Sequence, residues 1–554
     1  MSPTSYHCST PPFHARAPAR IGQSDEAIEE AGDPSRSVGY NAAGFAPETT
    51  RSVPQEALRA PMAVNPKKLR PYDQPPKVRA PIIPDGPDAA ATLYLVAAAI
   101  WLTIGTGIGM LWAAEQILPN QLAFSLEVPL LSGTLTVALN PATVASGFWN
   151  ATLYGWLGNA GLGAILFITP RLLGRRLVDE QMATASAALW NVGMLAGLVA
   201  VYMPRLAGSG PLTEFPLPVD GVLLLALLLV NDTFWRTLLV ARDRVAYISI
   251  WYFGVALAAF TGLYAVGTLA PLLNLPDVGS ALANAFYGRA VETLWVTGVA
   301  VGVLYYIVPR ATGNRLYSSG VAMLGWVSWA GLATLGTLGG LVDTSIPFAV
   351  TQLGNAATLM LVVPAFLAIA NLALSIRGRW TMILSPGTVP LAVVALSFLG
   401  ATSLLEAIGA LGSVRGLVSG TEWPVGVRLF AYFGTATLAM LALADHAFPR
   451  LLRRDWGTSP LIHVTLWGTF AGTALAGLAL IGGGIVHGRL VVGGAAVDAI
   501  DGTLIWFRGA AGAGIGLLAL GGLAALLNLF LMYTSGRLAD YALPIDAAPA
   551  AVGG

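Results

Sequence analysis

Long apolar segments alternate with short polar segments over most of this chain. Each apolar segment has about 20 residues or more, the length that a helix needs to cross the hydrocarbon core of a bilayer. No water is available there to bond the backbone, so a helix is the structure expected for each segment. The pattern predicts twelve spanning helices, near 91–114, 143–169, 181–203, 220–241, 248–271, 282–308, 319–341, 350–376, 385–411, 424–446, 461–486 and 503–533.

The two ends of the chain differ from this pattern. Residues 1–88 are rich in proline, serine and charged residues and show no apolar periodicity. Such a segment buries too little apolar surface to offset the entropy of ordering it, so we expect a disordered cytoplasmic tail. The predicted organisation is therefore this tail, an all-α polytopic membrane domain over 89–535, and a short C-terminal tail over 536–554.

Composition supports a membrane protein and excludes several other classes. Hydrophobic residues make up 55% of the chain and charged residues 11%, whereas soluble domains carry about 25% charged residues. The lipid bilayer is therefore the first expected partner, and the net charge of +1 gives no support for a nucleic-acid partner. Cys8 is the only cysteine, which excludes an internal disulfide, a cysteine-ligated iron–sulfur cluster and a CxxCH heme attachment.

Arginines in the loops predict the orientation in the membrane. Alternate loops carry only Arg205, Arg415 and Arg489. The other set of loops carries twelve arginines: Arg171, Arg175, Arg176, Arg242, Arg244, Arg310, Arg315, Arg377, Arg379, Arg450, Arg453 and Arg454. Because positively charged loops stay in the cytoplasm, the arginine-rich side is expected to be cytoplasmic. Both termini would then be cytoplasmic, in a bacterial-type inner (plasma) membrane.

Charged residues inside the predicted spans are candidates for function, because a charge is costly in a bilayer. Arg289 and Glu292 lie three residues apart in the sixth span, on one helical face, and are expected to form a buried ion pair. A second interpretation assigns such charges to helix packing or to the membrane interfaces. The other candidates are Asp232, Arg236, Glu406, Arg428, Asp445 and His446.

Histidines are scarce outside the N-terminal tail. His446 and His463 flank one predicted loop, and His487 belongs on the opposite side. A heme between His446 and His463 is one interpretation, and interface histidines that bond to water are the other.

A series of short motifs resembles the catalytic subunit of the heme–copper oxidase superfamily (subunit I). The closest likeness is to the C-family (cbb-three type) cytochrome c oxidases and the nitric oxide reductase large subunit, over most of 91–533. The likeness rests on the order and spacing of these motifs: Asn150-Ala151, Tyr154-Gly155-Trp156-Leu157-Gly158-Asn159, Pro170-Arg171-Leu172, Ser249-Ile250-Trp251-Tyr252-Phe253, Phe286-Tyr287-Gly288, Tyr305-Tyr306-Ile307-Val308-Pro309-Arg310, Tyr317-Ser318, Gln352-Leu353-Gly354, Glu422-Trp423 and Pro449-Arg450-Leu451. The resemblance implies a bundle of twelve helices that would hold b-type hemes and copper.

The same resemblance implies that every metal ligand has been replaced. The six family positions that hold histidine correspond here to Phe148, Arg289, Gly339, Gly340, Val427 and Leu429. Heme iron and copper need donors such as imidazole, and none of these side chains has one. We therefore expect no cofactor and no catalytic residue, and the missing ligands argue against catalysis by this chain.

Three functions follow as alternatives. The first is a degenerate, non-catalytic structural or partner subunit of a respiratory or electron-transfer complex, with other membrane or cytochrome subunits as partners. The second is a conduit for protons or a small molecule, through a polar site formed by Arg289, Glu292, Arg428, Tyr317 and Ser318. The third is an active oxidase or nitric oxide reductase, as the resemblance alone would assign.

Overall fold

The computed structural model describes residues 86–130, 133–203, 212–241, 246–269, 277–341, 346–456 and 459–538. Cys8 and the predicted tails up to residue 85 and from residue 539 lie outside these ranges, and their predicted disorder stays a prediction.

Twelve helices in the described residues are long and apolar enough to span a membrane, which confirms the predicted number and class. Each overlaps one predicted span. Short helical segments join some of them, over Trp380–Leu384 and Gly412–Val418. The spanning helices are α1 (Ala89–Ile117), α2 (Pro141–Leu173), α3 (Glu180–Val201), α4 (Leu217–Val240), α5 (Ile248–Thr268), α6 (Leu282–Thr312), α7 (Ser319–Gly339), α8 (Phe348–Ser375), α9 (Thr388–Ala410), α10 (Trp423–Leu452), α11 (Pro460–Val492) and α12 (Val497–Ser535).

Three of these helices form the centre of the bundle. The most apolar stretches of α2, α6 and α10 are 100%, 89% and 89% buried, whereas those of the other nine are 33–56% buried. A helix that is apolar on all sides can be surrounded by others, and one that keeps an exposed apolar face suits contact with lipid. The central helices are also those on which four of the six replaced family ligand positions lie.

Each central helix contains a widened, π-helical stretch. These stretches are Ala151–Gly158 in α2, Val291–Val296 in α6 and Phe430–Thr437 in α10. Threonine side chains bond to carbonyls within them: Thr297 Oγ1 donates to the Glu292 carbonyl (3.1 Å), and Thr437 Oγ1 to that of Tyr432 (2.8 Å). Insertions of this kind are frequent at functional sites, so these stretches are where we look for one.

Helices α11 and α12 form a long pair in which backbone packs on backbone. A side chain on Gly472 of α11 would collide with Gly514 and Leu518 of α12. Small residues allow such close approach between membrane helices, where dispersion contacts rather than hydrophobicity drive association. With 39 residues, α12 is about 58 Å long, so it must tilt or extend beyond a hydrocarbon core of about 30 Å.

A two-stranded hairpin, which the sequence interpretation did not predict, joins α1 to α2. Strand β1 (Phe124–Leu130) pairs antiparallel with β2 (Gly133–Leu139), and Phe124 lies opposite Leu139. Asn140 then caps α2 by accepting a hydrogen bond from the Thr143 amide (3.0 Å). The hairpin is short, and the chain remains all-α in class.

The folded unit extends slightly beyond the predicted domain boundaries. Asp88, which the sequence interpretation assigned to the tail, is buried, and both its carboxylate oxygens accept hydrogen bonds from Arg171 at 2.8 Å. At the other end, Leu538 forms a β-bridge with Arg454. These contacts hold the residue before α1 and the residues after α12 against neighbouring elements on the arginine-rich side.

Candidate functional site

A cluster of four charged side chains lies inside the bundle. Arg289 of α6 donates two hydrogen bonds to Glu406 of α9, from Nη1 to Oε1 and from Nη2 to Oε2, both at 3.0 Å. This two-point geometry is the strongest way in which a guanidinium binds a carboxylate. It joins a central helix to a peripheral one.

Glu292 completes the cluster from the next turn of α6. It accepts a hydrogen bond from Nε of Arg428 in α10, and its Oε2 lies 3.9 Å from Nη1 of Arg289. The Arg428 guanidinium also lies over the Trp149 ring, 5.2 Å from its centre. The expected Arg289–Glu292 ion pair is present, as the longer contact in this cluster. Glu406, which reaches the guanidinium from another helix, is the nearer partner of Arg289.

The cluster balances its charges in a poorly solvated place. Two cations face two anions, and the side chains of Arg289, Glu292, Glu406 and Arg428 are 19%, 11%, 16% and 32% exposed. Charges removed from water need such partners, because the desolvation penalty is several kcal/mol for each ion. The arrangement supports a structural tie between α6, α9 and α10 at the point where the family would hold metal.

Two residues of the expected polar site lie elsewhere. Ser318 caps α7 by accepting a hydrogen bond from the Val321 amide (3.2 Å). Tyr317 is 48% exposed, and its ring lies 5.4 Å from the Arg377 guanidinium carbon. Both follow the arginine-rich end of α6, which is about 35 Å along the helix from Arg289. Including Tyr317 and Ser318 in one polar site with Arg289 was therefore wrong.

Aromatic rings pack around Phe148, the position on α2 that the resemblance assigns to a heme ligand. Phe148 is fully buried and stacks between Trp112 and Phe433, with ring centres 5.3 Å and 6.1 Å away and planes tilted by 16° and 6°. Phe433 belongs to α10, so this stack fills the gap between α2 and α10 beside Phe148. The side chains on both sides offer no donor to iron.

The two remaining α10 positions are also apolar. Val427 and Leu429 are buried, with 6% and 0% exposure, in the hydrophobic core. Neither side chain has a lone pair to offer.

Backbone contacts backbone at Gly339, one of the two positions that the resemblance assigns to a copper pair. Gly339 and Gly340 belong to a tight helical turn, Thr337–Leu341, at the end of α7. A side chain on Gly354 of α8 would collide with the backbone of Gly339, so the two helices already touch. Arg289, the third copper position, carries a permanent positive charge that would repel a metal ion.

The side chains at the six positions that the resemblance assigns to family ligands supply no donor for heme iron or copper. Throughout the described part of the chain, no three or more His, Cys, Asp or Glu side chains are grouped to hold a metal ion. Among the histidines, His446 packs edge-on against Tyr306, His463 is exposed, and His487 bonds to Glu422 through Nδ1 (2.8 Å).

A small cavity with a mainly apolar lining and a few hydroxyl groups reaches the charge cluster from the side of α7 and α8. Glu406 lines it, together with Tyr252, Thr297, Thr402 and Ser403. The buried Thr402 hydroxyl has no hydrogen-bond partner among the described residues. The cavity therefore offers hydroxyl groups to a small polar molecule beside an ion pair.

Comparisons with known proteins agree with the fold and with the resemblance. The family model described as "Cytochrome C and Quinol oxidase polypeptide I" matches residues 89–497. The chain is 22% identical over 394 residues to the Cbb3-type cytochrome c oxidase subunit CcoN1 of Stutzerimonas stutzeri, covering 69% of this chain and 80% of that protein. It is 20% identical over 397 residues to cytochrome c oxidase subunit 1 of Rhodobacter capsulatus, covering 68% and 70%. The fold is similar to that of a heme-copper terminal oxidase dimer solved by cryo-EM, with a TM-score of 0.67, 15% identity, and coverage of 81% and 84%.

Proposed function

The chain belongs to the cytochrome c and quinol oxidase polypeptide I family, and we propose that it is a degenerate, non-catalytic member of it. It keeps the membrane bundle of a heme–copper oxidase subunit I. Its role is that of a structural or partner subunit in a respiratory or other electron-transfer complex.

The observation that carries this proposal is the chemistry of the positions that the resemblance assigns to metal ligands. The proposal is supported by the Phe148–Phe433 stack at a position assigned to a heme ligand, and by the Arg289–Glu406 ion pair at a position assigned to a copper ligand. A cation in place of a copper ligand supports loss of the metal rather than its exchange for another. The widened turns of α2, α6 and α10 lie close to these positions.

A partner role is supported by what the relatives are. The two relatives described above are named as oxidase subunits, and the similar solved structure is a dimer. The large apolar surface of this chain suits contact with other membrane subunits as well as with lipid.

The test is a gentle affinity purification from native membranes in a mild detergent. We expect stoichiometric membrane or cytochrome subunits to co-purify with the chain and to elute together with it on gel filtration. A chain that elutes alone from membranes in which the other respiratory complexes stay intact would contradict the partner role. Oxygen or nitric oxide reduction by the isolated chain would contradict the non-catalytic role.

A conduit function is a second candidate, favoured by the hydroxyl and carboxyl groups of Thr402, Ser403 and Glu406 in one cavity. A path for protons or a small polar molecule needs hydroxyl and carboxyl groups in sequence, and this cavity contains both. If the chain conducts protons, liposomes that contain it should dissipate an imposed pH gradient faster than empty liposomes. The Thr402→Val variant, which removes one hydroxyl at nearly constant shape, should then be slower. Equal rates for empty and loaded liposomes would reject the conduit.

The orientation with both termini in the cytoplasm remains part of the proposal. Its support is the twelve arginines in one set of loops against three in the other. A membrane-impermeant thiol reagent should label Cys8 only after the cells are opened. Labelling in intact cells would reverse the orientation.

A further inference from the structure

Two loops meet on the arginine-rich side of the bundle. They are the α6–α7 loop over 313–318 and the α8–α9 loop over 376–387. Asn314 of the first loop donates two hydrogen bonds from Nδ2, to the Ser375 carbonyl (2.8 Å) and to the Arg377 carbonyl (3.1 Å). These bonds hold the first loop against the start of the second.

Three arginines of these loops are exposed, namely Arg315, Arg377 and Arg379. Arg315 follows Asn314 directly, and the guanidinium carbon of Arg377 lies 5.4 Å from the centre of the Tyr317 ring, which is a cation–π contact between the two loops. None of the three arginines forms an ion pair with a residue that the structure describes. We call these three residues the loop arginine patch.

The lack of acidic residues distinguishes the two loops of the patch from the other loops on this side. Positively charged loops are common on the cytoplasmic side of membrane proteins, so arginines alone indicate only an orientation. The other three loops on the arginine-rich side also contain an acidic residue each, Asp179, Asp243 and Asp455. The α6–α7 and α8–α9 loops contain none. Their positive charge is therefore not balanced within the loops themselves.

Apolar side chains lie next to the patch in the chain. The short helical segment Trp380–Leu384 follows Arg379 directly, and Trp380 and Leu384 are 51% and 88% exposed. Tryptophan is enriched where lipid headgroups meet the hydrocarbon core, and apolar side chains beside basic ones bind membranes that contain anionic lipids. This neighbourhood suits a lipid surface better than water.

We propose that the loop arginine patch binds the headgroup of an anionic phospholipid, such as phosphatidylglycerol, next to Trp380. The guanidinium groups donate hydrogen bonds to the phosphate oxygens, for which the fork geometry of arginine is suited. A zwitterionic headgroup offers the same phosphate but adds an ammonium, which three arginines repel. The proposal involves neither the replaced ligand positions nor a partner subunit, so it is independent of the proposed function.

The test measures which lipid contacts Trp380. The full chain is reconstituted in phosphatidylcholine bilayers that contain increasing fractions of brominated phosphatidylglycerol or of brominated phosphatidylcholine, because bromine quenches a tryptophan that it contacts. The chain has 15 tryptophans, so the signal of Trp380 is the difference between wild type and Trp380→Phe. Half-maximal quenching should need about fivefold less brominated phosphatidylglycerol than brominated phosphatidylcholine. Equal quenching by the two lipids would overturn the proposal.

The double variant Arg377→Gln with Arg379→Gln tests whether the arginines cause this preference. It should lower the preference to about twofold or less, while quenching by brominated phosphatidylcholine stays as in wild type. Arg236→Gln is the matched control, because Arg236 is exposed but already pairs with Asp232 at 3.1 Å, and it should keep the wild-type preference. An unchanged preference in the double variant would overturn the role of the patch.

Salt and a partner subunit give two further outcomes. Raising the ionic strength from 0.15 M to 1 M shortens the screening length from about 8 Å to about 3 Å, so the preference should fall below about twofold, and a preference that persists would contradict recognition by charge. An acidic surface of a partner subunit could take the place of the lipid. In that case Trp380 in the complex purified from native membranes is quenched by neither lipid, a result that would overturn the lipid site.

Discussion

The partner of Arg289 can be identified by its energetic coupling to Glu406 and to Glu292. The structure gives two hydrogen bonds of 3.0 Å to Glu406 and a longer contact of 3.9 Å to Glu292. Replacing each charged residue by glutamine, singly and in pairs, yields two double-mutant cycles that share the Arg289→Gln variant. Glutamine keeps most of the volume, so the cycles report mainly on charge and hydrogen bonding.

The magnitudes follow from burial and geometry. Losing one partner of a buried ion pair costs roughly 3–5 kcal/mol. Arg289 keeps Glu292 when Glu406 is replaced, and its side chain is 19% exposed, so we expect about 2–3 kcal/mol for Glu406→Gln. Coupling energies between contacting residues are about 0.5–3 kcal/mol. We expect about 2 kcal/mol for the Arg289–Glu406 cycle and less than about 1 kcal/mol for the Arg289–Glu292 cycle.

The assay measures unfolding of the chain in mild detergent. A denaturing detergent is added stepwise, and tryptophan fluorescence reports the fraction unfolded. The exposed pair Arg236–Asp232, at 3.1 Å and with side chains 52% and 47% exposed, is the control and should couple by about 0.3–0.5 kcal/mol. An Arg289–Glu292 coupling equal to or larger than the Arg289–Glu406 coupling would refute the assignment of Glu406 as main partner.

Three further predictions test other parts of the structure. Gly472→Leu should destabilise the α11–α12 pair by roughly 1–3 kcal/mol or prevent folding. The control Gly516→Leu should be tolerated, because Gly516 has open space around it. Equal melting temperatures for the two variants would contradict the close packing of α11 on α12. Phe148→His should bind no heme, because Phe433 still fills the gap, and a b-type absorption band in this single variant would contradict the filled site. Burial raises the pKa of the Glu214 carboxyl, and hydrogen bonds to it offset part of this rise. Above the raised pKa the carboxylate is charged in the folded state, which destabilises the fold. The fold gains stability as the pH falls from this raised pKa toward the lower pKa that Glu214 has in the unfolded chain. Glu214→Gln should be more stable than wild type at pH 7.5 and lose this pH dependence in melting curves, and parallel curves would contradict the shift.

Helix number and class could be predicted because the bilayer imposes a simple rule on the sequence. Any run of about 20 apolar residues must be helical there, and all twelve runs are. The hairpin was missed because its strands are far shorter than a span. Its signal was nonetheless present: Phe124, Leu126, Val128 and Leu130 alternate with other residues at the two-residue period of a strand.

The charge cluster could be predicted only in part. Arg289, Glu292 and Arg428 stand out because charges inside spans are rare. The pairing of Arg289 with Glu406, 117 residues away, depends on the rotation of α6 and α9 about their axes, which tertiary packing sets. Tyr317 and Ser318 do not belong to one polar site with Arg289, because both residues lie beyond the end of α6.

Heme and copper content tests the central claim most directly. The full chain, purified from cells that express a known heme–copper oxidase as a positive control, is subjected to pyridine hemochrome and elemental analysis. Because Phe148, Arg289, Gly339, Gly340, Val427 and Leu429 supply no ligand, we expect neither heme nor copper above a small fraction of the chain concentration. About one heme or one copper per chain would contradict the proposal that the fold is kept and the redox centre lost.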